Sequence, residues 1–507
     1  MTADKPDDAT RPQTVGSRLT AGIAWLVATR WSTQLLNLIS NIVLARILLP
    51  ADFGIVAIAL AYTAIVEGLT LLPADQAIIR HRNPLSSLYD TAWSLSFIRG
   101  TLIALAMLAS ANPVAFFMDE ERLTAVIAVL ALKPLIAGLQ NPRFIDFEKN
   151  LVFSRYFVLQ VGSRIVMAVV TITYALIAKT YWALVIGNLA SVAVQVGWSY
   201  ALSPYRPRPT LSQFRALVDF SAWLWGTSVI RTLNLQSDKF IIGGLLNTSA
   251  VGVYHMGTNL AETVVGSITN PLVRALYPTF SLVNDDMTKL RRNVLDASAA
   301  LVAVTMPIGV GLALVADPFV RLVLGTKWLS AIEILQVLVP FFALSSITTV
   351  TDPVVMARGK TKLMFFRACT MFVVRLGAVI PGVLYFGLMG AVYGWALSHL
   401  IFVGVQLLLL GKTLNIAPTS PIAQAWRSWV SLVSMGCCVV AVEPVLPPGT
   451  DILSLATLLT AKITAGVISY CSTHYVLWML AGRPRGVETR ILKLAGNATR
   501  FERARSR

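Results

Sequence analysis

One long apolar stretch, residues 365–410, reads FFRACTMFVVRLGAVIPGVLYFGLMGAVYGWALSHLIFVGVQLLLL, and within it only Arg367 and Arg375 are formally charged. A helix needs roughly 20 apolar residues to cross a bilayer core that is about 30 Å thick. Because the stretch is more than twice that length, it predicts two consecutive membrane spans, over residues 365–386 and 388–410.

The rest of the chain has the same character. Of its 507 residues, 56% are hydrophobic and 13% are charged, and the mean hydropathy is +0.69, whereas roughly a quarter of the residues of a soluble domain are charged. The composition therefore predicts an all-α polytopic membrane protein with about 14 transmembrane helices. The other predicted spans are residues 20–44, 54–72, 89–110, 123–141, 156–178, 182–202, 220–246, 251–276, 295–316, 330–351, 428–446 and 454–480.

The charges between the spans predict the orientation of the chain. Basic residues concentrate in alternate connectors and in both tails, and the remaining connectors hold only Arg46, Arg122, Lys179, Arg321 and Lys327. Cytoplasmic connectors are enriched in Lys and Arg because they face anionic lipid, so both termini are expected in the cytoplasm. The same asymmetry accounts for the net charge of +17. We therefore expect membrane lipids as partners and no nucleic acid.

A weak internal repeat relates the first and second spans to the seventh and eighth. Gly54 and Glu67 follow one Leu-Leu pair, and Gly252 and Glu262 follow another at nearly the same spacing. Repeats of this kind are how transporters place a binding site between two lobes.

Polar residues also recur at helical spacing in the spans that precede these pairs. Arg30, Gln34 and Asn37, continued by Asn41, occupy one face of the first span, and Arg231, Asn234 and Asp238 occupy one face of the seventh. Each set predicts a polar stripe within the membrane.

Several short segments suggest a family. They are DKFIIGGLL at 238–246, VGVY at 251–254 and PLVRALYPTF at 271–280, together with LPADFG at 49–54 and GTKW at 325–328. In these segments the chain resembles the polysaccharide-transporter branch of the multidrug/oligosaccharidyl-lipid/polysaccharide exporter superfamily. The resemblance covers roughly residues 18 to 411. Members of that branch flip lipid-linked oligosaccharides, the precursors of O-antigen, capsule or exopolysaccharide, across the bacterial inner membrane.

The resemblance implies two six-helix lobes around a central cavity, followed by two C-terminal helices. The expected organisation is a cytoplasmic tail at residues 1–18, a first lobe at 19–213, a second lobe at 214–411, helices 13 and 14 at 412–482, and a basic cytoplasmic tail at 483–507.

The implied function is the flipping of a polyprenyl-pyrophosphate-linked oligosaccharide by alternating access. The chain is accordingly expected to be a multi-pass protein of the bacterial inner membrane. Such a protein is not an enzyme, and a glycan polymerase and glycosyltransferases of the same pathway are its expected partners. Two alternatives stay open. One is a cation-coupled small-molecule exporter of the same fold, and the other is a membrane-embedded glycan polymerase or ligase, against which the short outer connectors argue.

The substrate would present a pyrophosphate inside the bilayer, where a bare charge is costly, so intramembrane arginines are the first candidates for binding it. The planar guanidinium binds two phosphate oxygens at once. For any one of these arginines, an ion pair between helices is the alternative. The predicted substrate-binding residues are Arg30, Arg231, Arg164, Arg99, Gln34, Asn37 and Asn234, whereas Lys133 and Arg274 are expected to reach the interface or to pair with an acidic neighbour.

Intramembrane carboxylates are the candidates for coupling. Glu262, Asp238 and Glu67 lie within predicted spans, where each either binds a driving Na⁺ or H⁺ or neutralises an arginine. Glu262 is favoured because His255 and Asn259 share its helix face. No other cofactor and no metal site is predicted, since the four cysteines form no ligand pattern with each other or with histidine.

Overall fold

The structure is a computed structural model that describes residues 15–70, 78, 84–149, 153–214, 217, 222–282, 286–358, 361–446 and 451–483. Within these residues the chain forms helices and no β-strand, which confirms the all-α prediction. The two predicted tails lie outside the described residues except for residues 15–18 and Arg483.

The residues predicted to form the first lobe hold α1 to α8. Their bounds are Val15–Ile47 (α1), Pro50–Leu69 (α2), Ser86–Phe117 (α3), Arg122–Leu130 (α4), Leu132–Gly138 (α5), Ile145–Lys149 (α6), Phe153–Ala178 (α7) and Trp182–Leu202 (α8). The start of α2 is encoded locally, because Pro50 fits the first turn and the Asp52 carboxylate accepts the Leu49 N–H at 2.9 Å.

The predicted span 123–141 is two short helices instead of one. Pro134 lies in α5 and has no N–H to donate to the carbonyl four residues earlier, that of Leu130. The first helix, α4, ends at that residue.

The residues predicted to form the second lobe hold α9 to α15, and three further helices follow in the described part of the chain. Their bounds are Ala222–Leu245 (α9), Thr248–Leu282 (α10), Met287–Leu314 (α11), Ala316–Phe319 (α12), Ala331–Leu344 (α13), Thr351–Ala357 (α14), Thr361–Leu414 (α15), Ser420–Gln424 (α16), Trp426–Val440 (α17) and Ile452–Leu480 (α18). A 3₁₀ turn, Ser345–Thr348, joins α13 to α14, and α17 and α18 pack on each other and on α11.

The long helix α15 is broken at Gly387, whose φ of 59° and ψ of −140° are not helical. Glycine adopts this conformation without the steric cost of a Cβ. The break separates two arms, residues 361–386 and 388–414, and confirms the two spans predicted from the opening stretch.

Within the described part of the chain, eight helices are long and apolar enough to cross a membrane, as judged by length and composition. One of the eight, Lys362–Leu414, holds both arms of α15. Large apolar side chains such as Phe386, Leu384 and Ile468 are more than half exposed, as expected of a surface that faces lipid. The chain is a multi-pass membrane protein.

Successive spans alternate in direction, so their connectors fall on two faces. We call the face at the start of α1 and at residues 203–214 the basic face, and the face at Leu49, Asn247 and Gly387 the opposite face. The two lobes meet near the opposite face, where α2 crosses α10. A Cβ on Gly54 would lie 1.7 Å from the Thr248 carbonyl oxygen, and one on Gly252 would lie 1.8 Å from that of Pro50.

This lobe contact, defined by Gly54 and Gly252, is built from the motifs that carry the family resemblance. Phe53 and Trp328 meet edge to face at 5.3 Å, and the buried Trp328 indole donates to the Ala45 carbonyl oxygen at 2.9 Å. The repeat recognised in the sequence is therefore a pair of helices that press backbone against backbone.

Candidate functional site

A cavity of about 830 Å³ lies within the second lobe. Its walls come from α9, α10, α13, α14, the Ser345–Thr348 turn and both arms of α15. Four cations line it, namely Arg231, Lys239, Arg367 and Arg375. We call it the second-lobe cavity.

The end of the cavity nearest the opposite face is closed by a buried ion pair. The Arg375 Nε lies 3.4 Å from the Asp238 Oδ1, and the two side chains are only 7% and 6% exposed. The Tyr254 hydroxyl donates to the Asp238 Oδ2 at 2.9 Å, and the Arg375 Nη1 donates to the Asn234 carbonyl oxygen at 2.7 Å. This cluster ties α9, α10 and α15 together.

The end of the cavity nearest the basic face holds a second pair. The Arg367 Nη1 lies 2.5 Å from the Asp352 Oδ1 and also donates to the Gln406 Oε1 at 3.0 Å. Next to Asp238 on α9, the Lys239 ammonium donates to the Gln236 side chain at 2.8 Å. Three of the four cations therefore have a protein partner.

Arg231 is different. Among the described residues it makes no hydrogen bond or ion pair, and neither does Glu262, which lines the same cavity. At the opposite face α9 ends and α10 begins. Arg231 is as many residues from that end of α9 as Glu262 is from the start of α10. At 1.5 Å per residue both lie about 21 Å below that face. The middle of the cavity thus offers one guanidinium and one carboxylate to a ligand.

Comparison with known proteins decides the family. The model of a family described as polysaccharide biosynthesis protein matches residues 43–333, which is more than half of the chain. The chain belongs to this family.

Relatives of this polysaccharide biosynthesis protein include the lipopolysaccharide biosynthesis protein WzxC of Escherichia coli, 25% identical over 376 residues that make up 72% of this chain and 75% of the relative. The succinoglycan biosynthesis transport protein ExoT of Rhizobium meliloti is 24% identical over 382 residues, 73% of this chain and 76% of the relative.

Among solved structures, the lipid II flippase MurJ in an inward closed conformation superposes with a TM-score of 0.71 at 13% identity, covering 91% of this chain and all of the flippase. A multidrug resistance MATE family transporter in an inward-facing conformation superposes with a TM-score of 0.61 at 16% identity, covering 77% of this chain and 98% of the transporter. At such identities the likeness shows the fold alone.

In the first lobe of this polysaccharide biosynthesis protein, the predicted binding residues lie apart from the cavity. Arg30, Gln34 and Asn37 are partly exposed on α1, and the Gln34 Oε1 is buried without a hydrogen bond in the described protein. Arg164 on α7 donates to the Met167 sulfur at 3.4 Å. Their role in binding stays a prediction.

Two other predicted residues are engaged at the basic-face end of α2. Arg99 donates to the Glu67 carbonyl oxygen at 2.7 Å and to the Thr70 hydroxyl at 3.2 Å, so it caps the C-terminus of that helix. The Glu67 carboxylate pairs with Lys133 at 3.6 Å, the acidic partner that the sequence suggested for this lysine. The Arg274 side chain lies outside the described residues.

In the second lobe, Asn234 and Asp238 line the cavity as parts of the buried cluster. Arg231 and Glu262 line it with no hydrogen bond or ion pair to another described residue. The Asn41 amide on α1 donates to the Asn259 side chain on α10 at 3.1 Å and so links the lobes.

Arg375, on the first arm of α15, was one of the intramembrane arginines that the sequence offered as candidates, but the contribution of the second arm to the site was missed. Trp395, His399, Phe402 and Gln406 line the cavity at the same helical spacing as the polar residues of α1. That periodicity was a usable signal, although aromatic residues in an apolar span usually indicate only packing.

Proposed function

We propose that this chain is a flippase that moves a polyprenyl-pyrophosphate-linked oligosaccharide, such as a repeat unit of O-antigen, capsule or exopolysaccharide, across the bacterial inner membrane. The observation that carries the proposal is Arg231, a guanidinium without a protein partner in the described structure that lines a cavity inside a membrane domain. A charge at that depth is costly unless it pairs, and the guanidinium fork suits phosphate oxygens.

The relatives support the class of substrate. Two are named for lipopolysaccharide biosynthesis and for succinoglycan transport, and the solved structure of the same fold is a lipid II flippase. A lipid-linked sugar is common to such pathways. Glycosyltransferases that build the precursor and a polymerase that consumes it are the expected partners, and the chain itself breaks no bond.

In this proposal the basic face and both termini lie in the cytoplasm, as the positive-inside rule predicts. The lobe contact at Gly54 and Gly252 keeps the opposite face closed while the lipid-linked sugar enters from the cytoplasmic side. The lobes then rock, the contact opens, and the head group leaves outward. During this movement Arg30 of the first lobe and Arg231 of the second are proposed to hold the pyrophosphate together.

A Na⁺ or H⁺ gradient is the proposed energy source. Glu262 is the proposed binding residue for this cation, because among the described residues it makes no hydrogen bond or ion pair, whereas the other two carboxylates that line the cavity, Asp238 and Asp352, pair with arginines. Na⁺ and H⁺ would both neutralise such a carboxylate within the membrane.

The test replaces Arg231 and Arg30 in cells that depend on this chain for surface glycan. Each charge-assisted hydrogen bond to phosphate contributes about 1.5–3 kcal/mol. We therefore expect Arg231→Ala and Arg30→Ala to abolish export, with lipid-linked precursor accumulating on the cytoplasmic face. The Lys variants keep the charge but lose the fork, and should retain part of the export.

The matched control is Arg321→Ala, which removes an arginine that pairs with Asp317 and is 43% exposed. It should export normally. If Arg231→Ala and Arg30→Ala also export normally at normal protein levels, this assignment of phosphate binding is wrong. Export of small cationic dyes with no effect on glycan would indicate the exporter alternative.

A further inference from the structure

One wall of the second-lobe cavity combines aromatic rings with hydroxyl groups. It is formed by Phe342, Ser345, Thr349, His399 and Phe402, and we call it the aromatic-hydroxyl wall. We propose that this wall is a subsite for a pyranose ring of the transported glycan, distinct from the phosphate site at Arg231. The inference rests on the proposed function and deepens it, because it assigns the residues that would distinguish one glycan from another.

The aromatic part of the wall is continuous. Trp395 and His399 stack at 4.5 Å with an interplanar angle of 10°, the Phe342 ring lies 4.6 Å from Trp395, and Phe402 follows His399 at 6.3 Å. Trp395 is only 4% exposed and backs the other rings, which remain partly exposed to the cavity. A pyranose ring has a face of C–H bonds, and such a face packs well on the electron-rich face of an aromatic ring.

The hydroxyl groups of the wall already donate hydrogen bonds within the protein. The Ser345 hydroxyl donates to the Phe342 carbonyl oxygen at 2.6 Å, and that of Thr349 donates to the Ser345 carbonyl oxygen at 3.0 Å. On α10, the Thr258 hydroxyl likewise donates to the Tyr254 carbonyl oxygen at 2.9 Å. Each oxygen keeps lone pairs that can only accept. The wall therefore favours a ligand that brings several O–H donors, which a sugar does and a phosphate diester does not.

Apart from atoms of the two arginine–aspartate pairs, the His399 Nε2 and the Asn234 Oδ1 are the buried polar atoms of cavity-lining residues that have no hydrogen-bond partner in the described protein. Buried polar atoms are normally satisfied. A sugar hydroxyl both donates and accepts, so one kind of ligand group could serve both. A lipid acyl chain could serve neither and would leave the wall's oxygens unsatisfied as well.

The experiment uses the full chain in nanodiscs of phospholipid, which avoids sugar-based detergents. The probes are the methyl glycosides of glucose, galactose and glucuronate, detected by saturation transfer to their ring protons, and inorganic pyrophosphate, detected by phosphorus line broadening. We expect at least one glycoside to bind. Phe402→Leu and Thr349→Val should each weaken it by about threefold to tenfold, the change that loss of one such contact produces.

Pyrophosphate provides the internal check. Its binding should be unchanged in Phe402→Leu and Thr349→Val and lost in Arg231→Ala, which in turn should keep most of its glycoside binding. The matched control is Tyr393→Leu, which removes an aromatic ring on the same arm of α15 that is 55% exposed and does not line the cavity. It should bind glycosides like the unmodified protein.

The subsite is overturned if no glycoside gives saturation transfer, or if Phe402→Leu and Thr349→Val bind as tightly as Tyr393→Leu. Failure of the flippase proposal looks different. In that case Arg231→Ala exports glycan normally in cells, whatever the glycosides do in nanodiscs.

Discussion

The lobe contact and the Asp238 cluster both hold α10, but the first is a contact between backbones and the second is a contact between charged and polar side chains. At the contact, a Cβ on Gly54 or Gly252 would lie within 2 Å of a backbone oxygen of the other lobe, so the two helices touch through their backbones. At the cluster, α10 reaches α9 and α15 through Tyr254, which hydrogen bonds to the buried carboxylate that Arg375 neutralises. The first joins the two lobes, and the second joins helices of one lobe.

This difference indicates where the molecule can move. When two glycine-lined helix surfaces separate, they lose van der Waals contact, but no charged group is left without its partner. Separation of Asp238 from Arg375 would leave a charge in a nonpolar interior, which is far more costly. We therefore expect the second lobe to move as one body while the contact with the first lobe opens and closes.

The largest effect is predicted for Asp238→Ala, which leaves the Arg375 guanidinium buried without its counter-charge. Breaking a buried pair in this way costs about 3–5 kcal/mol. The variant should lower the midpoint of thermal unfolding in nanodiscs strongly. It should do so without a shift toward a state open at the opposite face, because the cluster does not join the lobes.

The control is Arg292→Ala, in which the arginine is 67% exposed and its Nε lies 3.9 Å from the Asp296 carboxylate. An exposed pair of this kind contributes at most about 1 kcal/mol. The double variant Asp238→Leu with Arg375→Met should recover much of the lost stability. Equal unfolding midpoints for Asp238→Ala and Arg292→Ala would show that the cluster is not what holds the lobe together.

A smaller effect of another kind is predicted for Gly54→Ala. Its Cβ cannot fit beside the Thr248 carbonyl oxygen, and overpacking of this sort costs about 1–3 kcal/mol. Because the cost falls on the closed contact alone, the variant should favour separation of the lobes and not unfolding. The measurement is the reactivity of a cysteine at Ile55, a fully buried neighbour in α2, toward an impermeant maleimide in a chain whose own cysteines are replaced by serine.

Gly404→Ala is the matched control, because a Cβ at Gly404 has no atom within 4 Å. The cysteine at Ile55 should stay protected in that background and become reactive with Gly54→Ala. Continued protection in both, at equal protein levels, would mean that the contact tolerates the methyl group and is not tightly closed.

The sequence predicted the helices better than it predicted their partners. Apolar runs of span length are local properties, and so the two arms of α15 were found, including the break at Gly387. The glycine repeat was also visible. What could not be seen was that Gly54 and Gly252 press on each other, because a repeat shows that two segments are alike and not that they touch.

The charges illustrate the same limit. Arg30 and Arg99 look equivalent as intramembrane arginines, yet Arg99 caps α2 through the Glu67 carbonyl oxygen. Arg375 lies far along the chain from Asp238, and only the packing of α9 against α15 makes them a pair. Helical periodicity gives the face on which a residue lies, whereas its partner depends on the neighbouring helix.

The smallest predicted effect concerns Glu120, between α3 and α4 at the opposite face. Its carboxylate accepts from the Arg122 Nε at 2.7 Å and, across the lobe contact, from the Thr248 hydroxyl at 3.4 Å. The hydrogen bond from Arg122 lowers the pKa of Glu120 below its usual 4.5. A lowered folded-state pKa means that the stabilisation is complete above the unfolded value and is lost as the pH falls through the folded one.

Glu120→Gln should therefore cost less than about 1 kcal/mol at neutral pH, since Arg122 is 48% exposed and water screens the pair. The unfolding midpoint of the unmodified protein should begin to fall as the pH drops below about 4.5. The Gln variant should start slightly lower and decline less over that range. Glu121→Gln, the same change at an exposed neighbour, should keep the steeper acid dependence. If Glu120→Gln and Glu121→Gln give the same acid profile, the carboxylate of Glu120 adds nothing to the contact, which then rests on the glycine backbones and Trp328.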